Sequence, residues 1–82
     1  MITARQTRAA RALLGWNQET LADKALVSLT ALKRLESVND LRVHEGSRDQ
    51  VRRALEAAGI IFLSSGRREG VMVDDEVAEI RR

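Results

Sequence analysis

The sequence predicts a mainly α-helical domain: four short helices, then a short β hairpin, then a tail able to close as a further helix. Three observations carry this reading. Charged residues make up 32% of the chain and aromatics 2%, a balance that suits amphipathic helices better than a large sheet, whose strands favour aromatic and β-branched side chains. Between Thr3 and Gly59, apolar residues recur at helical spacing, punctuated by capping residues and glycines. Beyond Gly59 the period changes, and "IIFLSS" reads as β. Eighty-two residues, 44% hydrophobic, close a single modest core. Residues 1–59 are therefore the helical bundle, and residues 60–82 are a hairpin and charged tail of the same domain, available for dimerisation.

Thr3 and Gln6 have the spacing of a capping box at the start of a first helix. In that helix Gln6, Ala9, Ala10, Leu13 and Leu14 share one arc, with Arg5, Arg8 and Arg11 on the solvated back. Gly15 stops it, since glycine adopts a left-handed conformation without a Cβ penalty. Asn17 caps a second helix through Ala25, and Trp16 is placed to pack on Leu21 as a hydrophobic staple. Ser28 caps a third helix after a very short connection, so the two helices must cross steeply. In that helix Ala31, Leu32 and Leu35 face inward, while Leu29, Thr30, Lys33, Arg34 and Ser37 face outward. The stretch "SVNDLRVHEG" has no helical period and reads as a loop pinned by Leu41 and Val43. Ser47 and Gln50 open a fourth helix with Val51, Ala54, Leu55 and Ala58 inside, and Gly59 ends it. "GRREG" is then the turn of a hairpin whose second strand is "VMV". In the tail, Val77 and Ile80 lie at helical spacing, and Asp74, Asp75 and Glu76 suit a helix start.

Several classes of function are excluded or left without support. There is no cysteine, so disulfide frameworks and thiolate metal sites are ruled out, and the single His44 cannot build a histidine cluster. His44 with Glu45 or Ser47 lacks an oxyanion hole and a third group, so no catalysis and no cofactor are expected. The longest apolar run near the start, "ALL", is too short for a signal core or a membrane span, and a cytoplasmic protein is expected. The net charge of +2 hides an asymmetry: residues 1–35 hold six Lys/Arg and two Asp/Glu, net +4, which leaves −2 for the remainder. A polyanion would be met at the front half.

The residues "RAARALLGWNQETLADKALVSLTALKRLE" resemble the helix-turn-helix core of the Cro/cI-like, or XRE-like, DNA-binding family. The features that carry the likeness are Arg11 seven residues before Gln18, the "QETLA" opening, the Val27-Ser28 turn and the Leu32/Leu35-Glu36 ending. With "ALEAAGIIF" downstream, the chain looks like a small bacterial subgroup with a hairpin after the helices, and the likeness covers roughly residues 5–63. It implies a lambda-repressor-like fold and a sequence-specific DNA-binding transcriptional regulator, a repressor of phage, antitoxin or autoregulatory type. Two positions depart from the pattern. Leu26 stands where the family has a turn glycine, and Ser37 where it often has a glycine after the acidic residue.

In such a fold the third helix enters the major groove. The resemblance then makes Leu29, Thr30, Lys33 and Arg34 base contacts: Lys33 or Arg34 donating to guanine, Thr30 to a base or phosphate, and Leu29 touching a thymine methyl. Gln18, Asn17, Ser28, Ser37, Asn39 and Arg42 become phosphate contacts. Arg11 and Glu36 become a structural ion pair between the first and third helices. Against this stands a bland reading, in which Lys33 and Arg34 are only a solvated face. Leu29 argues against it, because an outward leucine wastes burial. Ile60, Ile61, Phe62 and Leu63 are apolar on both strand faces, so the helices are expected to cover one side and a second copy of the chain the other side or the open edge. A homodimer would read a palindrome with half-sites about 34–36 Å apart. The alternative function is a protein-interaction module, in which Leu29 and the hairpin bind a protein such as a toxin.

Overall fold

A computed structural model describes residues 2–37 and 45–81. Among these residues, five helices and two strands follow in the order α1 (Ala4–Leu14), α2 (Gln18–Ala25), α3 (Leu29–Leu35), α4 (Glu45–Ala57), β1 (Ile60–Ser65), β2 (Arg68–Val73) and α5 (Asp75–Arg81). The chain is mainly helical, with one antiparallel hairpin in which Ile60 faces Val73 and Ser65 faces Arg68. One core, with Leu21, Leu32, Val51 and Leu55 fully buried, joins α2, α3 and α4, and Ile60 and Ala78 extend it under the hairpin and tail.

Each early helix begins and ends where local chemistry requires. At α1 the Thr3 hydroxyl accepts from Gln6 N at 3.1 Å while Gln6 Oε1 accepts from Thr3 N at 3.0 Å, so two otherwise orphan donors are satisfied reciprocally. Gly15 closes the helix at φ 69°. Asn17 Oδ1 accepts from Thr20 N at 2.8 Å and Ser28 Oγ from Ala31 N at 3.0 Å, which caps α2 and α3. Trp16 packs at the edge of the core, with Lys24 Nζ 5.6 Å above its ring.

The inner face of α1 differs from the expected arc. Gln6, Thr7, Ala10 and Leu14 are buried, whereas Ala9 and Leu13 are exposed. The hairpin packs against α1, and Gln6 fastens it there by donating from Nε2 to both Leu63 O and Gly70 O at 3.0 Å. That contact rotates the buried stripe toward Thr7, whose hydroxyl is satisfied inside the helix by Thr3 O at 3.0 Å.

Two boundaries also move. α4 starts at Glu45, so Glu45 and Gly46 belong to the helix and Ser47 lies inside its first turn instead of capping it. Glu45 sits 3.6 Å from Arg48, and Arg48 Nη1 donates to Ile2 O at 2.9 Å, contacts that hold the additional residues. The pinning residues Leu41 and Val43 lie outside the described residues, as does His44. The hairpin turn shrinks to Gly66-Arg67, because Gly66 at φ 59° supplies the first position of a two-residue turn and lets Arg68, Glu69 and Gly70 pair as strand. The tail is helical, capped by Asp74 Oδ1 accepting from Glu76 N at 3.1 Å. Ala78 is its buried residue, and the Ile80 side chain falls outside the described ones.

Two turns carry conformational demands. Gly59 has φ 101°, and a Cβ there would sit 2.8 Å from Asp74 O, so a side chain is excluded both by backbone and by space. Its own carbonyl accepts from Asp74 N at 2.7 Å. Leu26, by contrast, adopts φ 59° and is 84% exposed. The left-handed conformation costs a non-glycine residue roughly 1–2 kcal/mol, and exposure returns no burial. Replacing Leu26 by Gly is therefore expected to stabilise the domain by about 1 kcal/mol, less the backbone entropy glycine restores to the unfolded chain. Urea unfolding should show a higher midpoint at unchanged slope.

Candidate nucleic-acid interface

α2 and α3 are joined by Leu26, Val27 and Ser28, and Val27 N donates to Ala22 O at 3.1 Å to draw the connection tight. Leu32 and Leu35 bury one side of α3, leaving Thr30, Lys33 and Arg34 exposed on the other. Leu29 does not point fully outward as expected. It is half-buried, as is Ala31. Within α2, α3 and their connection, the large apolar residue that stands in solvent is Leu26, at the start of the turn.

The expected Arg11–Glu36 pair is present and fixes α3 against α1. Arg11 Nε lies 2.8 Å from Glu36 Oε2 and Nη2 lies 2.8 Å from Oε1, a bidentate contact in which Glu36 is only 5% exposed. Arg11 Nη1 also donates to Trp16 O at 3.1 Å, tying the α1–α2 junction to the same guanidinium. The hydrogen bonds that Arg11 donates to Glu36 raise its pKa above its already high ordinary value, outweighing the opposing desolvation.

Two residues join this network that the sequence reading had placed elsewhere. Gln18, expected on phosphate, donates from Nε2 to Glu36 Oε1 at 3.2 Å, so part of its amide serves the fold. Arg8, expected on a solvated back, donates from Nη1 to Glu36 O at the C-terminal end of α3. Nothing in the spacing of Arg8 distinguishes it from Arg5. Only the crossing of α1 over the end of α3 does so. A carboxylate and its own carbonyl are thus satisfied by three side chains from two other helices.

The remaining expected contacts divide into three groups. Asn17 and Ser28 are exposed, and each uses its oxygen as a cap acceptor, which leaves the Asn17 amide N–H groups and the Ser28 hydroxyl proton for an external acceptor. Ser37 is half-buried next to Glu36. Asn39 and Arg42 lie outside the described residues.

Charge pairing separates α3 from α4. On α4, Arg52 and Arg53 lie 2.6 and 2.9 Å from Asp49, and the hydrogen bond from Arg52 lowers the Asp49 pKa below the usual carboxylate value. Among the described residues neither Lys33 nor Arg34 has a carboxylate within ion-pair distance. The arrangement offers an anion two exposed cations and a hydroxyl on a short helix held at a fixed angle.

Because Glu36 is buried and Arg11 is its main partner, truncating Arg11 to Ala leaves an uncompensated carboxylate. A loss of about 3 kcal/mol is expected, at the lower end of the range for broken buried pairs because Arg11 is partly exposed. Unfolding by urea checks the value, and Glu36→Gln, which keeps the shape and removes the charge, should cost less than Arg11→Ala. Among the described residues no helix is long and apolar enough to cross a membrane. Comparison with protein-family profiles, with curated proteins and with solved structures finds no match for this chain.

Proposed function

We propose that the chain is a sequence-specific DNA-binding transcriptional regulator built on a lambda-repressor-like helix-turn-helix, with α3 as the recognition helix and double-stranded DNA as its partner. The observation that supports this most is the pairing of exposure with rigidity on α3. Thr30, Lys33 and Arg34 project from a helix whose end is gripped through Glu36. Base recognition needs side chains placed to a fraction of an ångström, and a helix anchored in this way meets that need better than a loop.

The roles follow from chemistry. Arg34 presents a planar fork suited to guanine O6 and N7, Lys33 a compact charge suited to either guanine or phosphate, and Thr30 a hydroxyl for base or backbone. Leu29, half-buried, retains enough surface to meet a thymine methyl at the head of the helix. The start of α2 is the phosphate seat. The N–H groups of its first turn, the Asn17 amide and the remaining amide proton of Gln18 are the donors it would offer to one anion. Repression by occupancy of an operator is the simplest consequence, in a cytoplasmic setting where DNA is accessible.

A second reading draws on Leu26. An exposed leucine in a left-handed conformation gives up both burial and backbone comfort, and a surface that binds a protein would recover the first. In that case the chain is a helix-turn-helix scaffold for a protein partner such as a toxin.

Salt titration of DNA binding separates the two. A regulator should lose affinity steeply with rising salt, with a slope of about −0.9 per phosphate neutralised. Lys33→Ala should reduce the slope by about one if Lys33 meets phosphate, whereas Arg34→Ala should relax base preference at one operator position with a loss of about 1–3 kcal/mol. Salt-independent binding, or none to a pool of random duplexes, would defeat the DNA reading, and loss of a protein partner on Leu26→Asp would favour the other.

A further inference from the structure

The hairpin has two unlike faces. Ile60, Phe62, Val71 and Val73 turn toward the helices, with Ile60 buried and the rest packed against the core. Ile60 and Phe62, expected at a dimer contact, are therefore spent on the chain's own interior. The opposite face carries Ile61, Leu63 and Met72, which are 44%, 43% and 48% exposed. Met72, opposite Ile61 in the register, was not among the expected residues.

Three features of this strip define its occupant. Its ends carry opposite charge: Arg67 and Arg68 at the turn, and Asp74, Asp75 and Glu76 at the base, all exposed. Six residues of strand at about 3.3 Å each keep these ends roughly 20 Å apart, beyond the screening length of about 8 Å at physiological salt, so they do not neutralise one another within the chain. Between them, Gly70 sits beside Leu63 in the register. A Cβ at Gly70 would meet Leu63 Cδ1 at 3.9 Å and Cβ at 4.0 Å, ordinary contact distances, and its φ is not in the left-handed region. The fold of one chain thus does not require glycine here, and glycine weakens a strand. It leaves the strip low beside Leu63, with no side chain of its own between that residue and the surroundings.

A strip that is basic, apolar and acidic along its length is complementary to itself reversed. It is not complementary to DNA or to an anionic membrane, which the acidic end would repel. We infer that this face, made by Ile61, Leu63, Gly70 and Met72, is where a second copy of the chain packs, with a two-fold axis across the strands that sets the Arg67–Arg68 end of each copy against the Asp74–Glu76 end of the other. The inference is independent of the DNA reading. Three partly exposed apolar side chains and a glycine make a strip too small for the roughly 800 Å² per partner of a standard interface, so the dimer is weak and exchanges readily.

Sedimentation equilibrium of the full chain without DNA tests this directly. The apparent mass should rise from 9.2 kDa toward twice that value as concentration increases into the hundreds of micromolar range, a weak-dimer regime. Leu63→Glu should hold the chain monomeric with an unchanged far-UV circular dichroism spectrum. Gly70→Val, which suits a strand, should leave the monomer folded and weaken association. Arg68→Glu should weaken it about tenfold, and adding Glu76→Arg should restore it. A chain that stays monomeric throughout, or a dimer indifferent to Leu63→Glu, overturns the inference. Loss with Arg68→Glu that Glu76→Arg fails to rescue overturns the antiparallel seating. A different protein that binds the strip more tightly than the chain binds itself, and is lost with Leu63→Glu, assigns the face to that protein instead.

Discussion

The buried carboxylate of Glu36 is the constraint on which the arrangement of helices depends. It lies at the end of α3 in nearly dry surroundings, where an ionised group is tolerated only when its oxygens are fully engaged. Arg11 supplies two bonds and Gln18 a third, while Arg8 takes the adjacent carbonyl. These donors come from α1 and α2, so satisfying one charge fixes three helices relative to each other. Apolar packing of Leu21, Leu32 and Leu55 would permit a range of crossing angles. The fork geometry of a guanidinium on a carboxylate permits far fewer.

A second polar residue does the same for the hairpin. Gln6 closes the capping box at the start of α1 and simultaneously donates to one carbonyl on each strand. A two-stranded hairpin is marginal by itself. Here it gains a bridge to the first helix as well as an apolar underside built from Phe62, Val71 and Val73. The small core is thus extended by polar contacts whose every member is satisfied, which favours one arrangement over its alternatives.

Local features were legible in the sequence because they are decided locally. The caps at Thr3, Asn17 and Ser28, the stop at Gly15 and the hairpin after Gly59 each depend on residues within a few positions. Features set by distant parts of the chain were not. The burial of Thr7 instead of Leu13 reflects where the hairpin lies, and the turn at Gly66 was read too long because "GRREG" looks alike whether or not its last residues pair. The early start of α4 was hidden by Gly46, a residue more often found outside helices. At the candidate site, Arg11 and Glu36 came from the family resemblance and not from spacing alone, while the contribution of Arg8 and the diversion of Gln18 toward Glu36 carried no sequence signal. Leu29 shows the opposite failure: the helical wheel puts it outside, and the folded chain half-buries it.

The junction at Gly59 has a mechanical consequence. A left-handed residue without room for a side chain joins the end of α4 to the base of β1, and its carbonyl holds the residue that starts α5. Helix, ribbon and tail therefore pivot on no free hinge at this point. Any load applied to the tip of the ribbon travels as through a stiff lever into α4 and onward to α3, which packs on it.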